Sequence, residues 1–202
     1  NRFWIKLVLN AFELTAFIAG IFNWGKVKRT YWKYFVFYCG IIILTELLAK
    51  YIGYGMRKPG LNADIYFFFG IPVQFVFFFW LFYRWSQGNS GKIFAVSGLL
   101  VYIIAWVIEL LYLRELRMWF SSFSYVVGNI FLLILLVNYF IRFVNSSEIL
   151  QYRSDMMFWV AAGILVFFVG TLPFYGLRNF LYYNYRGIFY FYWDASYILD
   201  CL

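Results

Sequence analysis

The sequence contains no histidine, only two cysteines and three prolines, and charged residues fill just 13% of its 202 positions. Without histidine the commonest general base and the commonest transition-metal ligand are missing. That excludes Ser-His-Asp hydrolysis, an HExxH zinc site and histidine-ligated haem. Cys39 and Cys201 each lie in an apolar run with no second thiol beside them, so neither completes a metal-ligand or redox spacing, and both read as inert buried thiols. Charge this sparse excludes an ordinary soluble domain, in which about a quarter of residues are charged. The formal charge of +8 is dispersed in small groups beside apolar runs, a pattern suited to anionic lipid headgroups. Nucleic-acid binding needs an exposed basic docking element, and the loops are too short to supply one. No cofactor is implied.

What is present is apolar: 65% hydrophobic residues, of which the aromatics alone make up 27% of the chain. The apolar runs fall at about 3–23, 32–53, 64–83, 92–113, 119–143, 156–175 and 186–202. Their apolarity is continuous instead of alternating, which argues for helices and against an outer-membrane barrel. At about 20 residues per span, seven spans use roughly 140 residues and leave only short loops. The expected architecture is an all-α integral membrane protein, one domain formed by a bundle of seven transmembrane helices over residues 1–202. The first run lacks the small-residue cleavage site of a signal peptide and reads as a permanent helix. The last is short, and its helix is expected to continue past Leu202. Trp4, Trp24, Trp32, Trp80, Trp85, Trp119 and Trp159 fall near run ends, as an interfacial belt requires. Basic residues divide almost evenly between the two sides. The densest cluster, Lys26, Lys28, Arg29 and Lys33, lies in the first loop and orients the N-terminus outside.

Ionisable groups inside a span cost about 2.5 to 3.5 kcal/mol each on insertion scales, so each calls for an explanation. The first run carries Asn10 and Glu13, on one helical face with Lys6, Phe17 and Gly20. In the second, Glu46 and Lys50 stand one turn apart and can neutralise each other. Gln74 follows Pro72 in the third, Glu109 lies late in the fourth, Asn129 is mid-depth in the fifth, and Asp194 is early in the seventh. Laid out by depth, these eight residues (Glu13, Glu46, Glu109, Asp194, Gln74, Asn129, Asn10 and Lys50) describe a ligand or proton site. The expectation is a polar, net-acidic cavity open to the N-terminal side, rimmed by Lys50, Arg114 and Arg178. The plainer alternative is that the amides are interhelical hydrogen-bond partners and that the charges pair or snorkel at helix ends.

Several heptahelical groups are excluded by their own motifs. The last run has no lysine for a retinal Schiff base, and Leu172-Pro173-Phe174-Tyr175 does not match NPxxY. Pro72-Val73-Gln74 lacks the adjacent Pro-Gln pair of PQ-loop transporters. In helix count, short loops, N-out topology and Phe/Tyr/Ile/Asn/Lys-rich usage, the chain resembles the compact seven-helix sensor modules of bacterial histidine kinases. That resemblance covers the whole chain and implies a multi-pass protein of the bacterial cytoplasmic membrane. It would bind a small or lipid-like ligand and signal to a cytoplasmic or membrane protein partner. A proton- or cation-coupled transporter using the carboxylates, and a structural subunit of a larger membrane complex, are the alternatives. A lipid enzyme is disfavoured, because no nucleophile–base pair is present.

Overall fold

The computed structural model describes residues 2–56, 59–86, 88–113 and 123–199. Among them every regular element is helical: α1 (Arg2–Phe22), α2 (Trp24–Val27), α3 (Lys33–Lys50), α4 (Pro59–Ile65), α5 (Ile71–Trp85), α6 (Asn89–Ile108), α7 (Phe123–Val144), α8 (Met156–Asn184) and α9 (Arg186–Leu199). Short π-helical segments extend three of these, Tyr51–Gly55 after α3, Tyr66–Gly70 before α5 and Glu109–Leu113 after α6. With those extensions, five helices are long and apolar enough to cross a membrane: Lys33–Gly53, Leu61–Trp85, Asn89–Tyr112, Phe123–Val144 and Met156–Phe174. A shorter apolar stretch, Ala11–Phe22, lies in α1. Apolar side chains face outward as well as inward. On α7 the exposed row is Ile130, Ile134, Val137 and Ile141, at helical spacing. A water-facing helix would carry polar residues there.

The chain forms two compact units, Asn1–Phe77 and Phe78–Asp200, with the boundary inside α5. In the first unit α1 lies against α3 at two glycines. A side-chain carbon at Gly20 would come within 2.8 Å of Val36 Cγ2, and one at Gly40 within 3.0 Å of the Phe17 ring. Backbone without side chain is what lets two helices approach this closely. The chain then turns back into α4, which opens on Pro59, whose fixed φ and missing N–H suit a first helical position. Pro72, early in α5, gives no N–H to the turn before it, and the wider π-helical winding occupies that turn. The Tyr38 ring stacks on Phe77 with centroids 4.3 Å apart.

The second unit is built on buried aromatics. Phe79, Phe82, Tyr102, Tyr139 and Phe168 are all essentially inaccessible, joined by Leu81, Leu132 and Leu136. Edge-to-face pairs tie the elements together, Phe78 to Phe168 and Trp85 to Tyr139. Asp155 starts α8 by accepting a hydrogen bond from Met157 N at 2.9 Å, as an N-cap does. The sixth apolar run ends near Tyr175, but α8 continues through Pro173 to Asn184. Packing supplies the reason: Phe174 and Leu181, two turns apart, bury against Phe189 of α9, with Tyr182 and Trp193 beside them. The chain leaves the helix at Tyr185, whose φ of -139° and ψ of 66° are not helical, and α9 begins at once.

Candidate functional site

The hairpin of α3 and α4 brings polar groups together by simple register. Glu46 and Lys50, one turn apart on α3, form an ion pair with Nζ 2.9 Å from Oε2. The other carboxylate oxygen accepts a 2.7 Å hydrogen bond from the Tyr66 hydroxyl. Nearby, Asn62 Nδ2 donates to the Ala49 carbonyl at 3.0 Å, and its amide fills the space a side chain at Gly53 would need. Glu46 and Lys50 are only 19% and 25% exposed, so their attraction is screened far less than that of a surface pair. Tyr66 was not among the residues read from the sequence. One hydroxyl among many tyrosines carries no periodic signal, and its partner lies across a turn.

Glu13 joins this pair. It is partly buried on α1, on the face that Phe17 and Gly20 turn to α3, and lies within electrostatic range of Glu46 and Lys50. Tyr38 and Cys39 of α3 feel the same carboxylate. The cluster therefore has two carboxylates and one ammonium, one negative charge in excess when all are ionised. Gln74 is in the same unit, half-buried on α5.

Two other expected site residues occur in the second unit. Glu109, 1% exposed, accepts hydrogen bonds from Phe123 N at 3.1 Å, from Ser124 N at 2.9 Å and from the Ser124 hydroxyl. Its carboxylate thus caps the first turn of α7, where free N–H groups and the helix dipole favour a negative charge. Asn129 is fully buried; its Nδ2 reaches the Phe168 carbonyl at 3.5 Å, while its Oδ1 has no hydrogen-bond partner among the described residues. One turn away the Tyr125 hydroxyl meets Thr171 Oγ1 at 3.2 Å, a second polar link between α7 and α8. The side chains of Asn10, Asp194 and Arg178, and the whole of Arg114, lie outside the described residues.

The ion pair and its hydroxyl make a direct test. Tyr66→Phe and Glu46→Gln, made singly and together, are expected to show a coupling of about 1 to 2 kcal/mol in unfolding free energy in detergent. Strict additivity would mean that the hydroxyl and carboxylate do not bond.

These features define an all-helical chain with helices of membrane-spanning length and a compact charged cluster in its first unit. Compared with known proteins, the chain matches no family model, no curated protein and no solved structure.

Proposed function

We propose that the protein is a membrane-embedded sensor or signalling subunit with seven spans, α1 and α9 being the outermost in sequence. Its setting is the bacterial cytoplasmic membrane, with the N-terminus outside. Its input acts at the cluster of Glu13, Glu46 and Lys50. The observation that supports this is the charge count: Glu46 and Lys50 neutralise each other, and Glu13 is left over beside them. In a low-dielectric span an uncompensated carboxylate is costly, so the cluster favours one added positive charge. A proton, or the cationic group of a small or lipid-like ligand, supplies it. The α1–α3 contact at Gly20 and Gly40 lies on the same helix faces, so a change of charge there biases the packing of the two helices. A cytoplasmic or membrane protein partner reads that shift.

Acidification adds a proton and brings the cluster to neutrality, whereas alkaline pH leaves it one charge negative. The protection of α1 and α3 amides in lipid nanodiscs, taken relative to the intrinsic exchange rate at each pH, should therefore be greater on the acid side, and Glu13→Gln should hold it at the high value at every pH. Protection that does not vary with pH in the wild type would contradict the reading. The same charge count also favours a second reading, a proton- or cation-coupled transporter, since one exchangeable cation is the elementary step of transport. Proton flux into proteoliposomes that Glu13→Gln abolishes would select transport over signalling. A purely structural subunit would assemble and work unchanged with the glutamine.

A further inference from the structure

Where α5 ends and α6 begins, the second unit holds a half-open cavity of about 190 Å³ with no carboxylate among its lining residues. Its polar lining comes from three elements. Ser86 follows α5, Ser90 and Gly91 belong to the first turn of α6, and Asn138 and Arg142 stand one turn apart on α7. Phe82, Trp85, Phe94 and Leu135 form the apolar remainder. Arg142 is the charged group among the lining residues, and it is positive.

The donors there are unspent. Ser86 is only 5% exposed, yet its hydroxyl makes no hydrogen bond among the described residues, and neither do the Asn138 amide and the Arg142 guanidinium. α6 starts at Gly88 without a side-chain cap, and no side chain among the described residues accepts from the amides of its first turn. Gly91 keeps the space open: a side-chain carbon there would fall 2.8 Å from Ser86 Oγ. A guanidinium, two hydroxyls, a carboxamide and a helix N-terminus converge on one hollow with no acid among its lining residues. That is a donor set for a tetrahedral oxyanion, whose several oxygens can be met from three directions at once.

We propose that this cavity binds a phosphoryl group, presented either by a phospholipid headgroup or by free phosphate. Arg142 supplies the charge, Ser86 and Ser90 with the first amides of α6 hold the oxygens, and Trp85 packs on the ester side. The Ser86 hydroxyl lines the cavity with no hydrogen-bond partner among the described residues, and an acceptor in the cavity gives it one. This site is independent of the Glu13 cluster and stands or falls without it.

The test uses the full chain purified in detergent and three probes: dioctanoyl phosphatidylglycerol, dioctanoylglycerol, which lacks the phosphate, and inorganic phosphate. Phosphatidylglycerol should bind, dioctanoylglycerol should bind far more weakly, and Arg142→Gln should weaken the phosphorylated probe about tenfold. Ser86→Ala should weaken it several-fold. Arg84→Gln, which removes an exposed charge outside the cavity lining, should leave binding unchanged. Binding of phosphatidylglycerol alone assigns the site to lipid. Binding of inorganic phosphate with the same dependence on Arg142 and Ser86 assigns it to free phosphate. Equal losses in the Arg84 and Arg142 variants, equal binding of dioctanoylglycerol, or no binding of either phosphorylated probe would overturn the proposal.

Discussion

Glu109→Ala is expected to destabilise the second unit by about 3 kcal/mol, because it removes the acceptor of two backbone N–H groups and of the buried Ser124 hydroxyl. The carboxylate is 1% exposed and serves both Phe123 N and Ser124 N, the opening amides of α7. Glu109→Gln retains one acceptor oxygen but loses the charge at the helix N-terminus, so about half of that loss is expected. Midpoints of unfolding in detergent, compared across wild type, glutamine and alanine, should fall in that order. An alanine variant within about 0.5 kcal/mol of wild type would show that α7 is capped by something else.

Gly98→Leu should be comparably damaging for a steric reason. At Gly98 the backbone of α6 passes over Phe79 of α5, and a side-chain carbon there would lie 2.7 Å from the ring and 3.3 Å from Phe131 Cβ of α7. Phe79 is 1% exposed and enclosed, so it cannot swing aside. Gly98→Ala sets two effects against each other. Alanine gains about 1 kcal/mol of helix propensity, while overpacking a tight core costs about 1 to 3 kcal/mol. With an immobile ring as neighbour the second effect wins, so alanine should lower stability and leucine should cost about 3 kcal/mol. A stabilised alanine variant would mean that the α5–α6 contact yields.

The helices were legible in the sequence because continuous apolarity over a span's length has few other physical meanings. Their ends were less so. α8 runs past Tyr175 because Phe174 and Leu181 pack on Phe189, a tertiary contact that hydropathy does not register. α4 begins at Pro59, before the apolar run that marks it, because proline suits a first helical turn. Among the site residues, the Glu46–Lys50 pair follows from helical spacing alone, and the structure forms it. The Glu109 cap does not, since its partners are backbone amides, which carry no side-chain identity. Tyr66 and Ser86 are equally silent in one dimension. Each matters through a neighbour that the turn of the chain supplies, α3 in one case and α6 in the other.

In the proposed function, Glu13 takes up a positive charge beside a pair that is already neutral. Infrared difference spectroscopy between acid and alkaline pH, on the protein in lipid nanodiscs, observes this through the C=O stretch of a protonated carboxyl. A carboxyl band is expected that appears on acidification, vanishes in Glu13→Gln and persists in Glu109→Gln. The absence of such a band, or a band unaffected by Glu13→Gln, would contradict it.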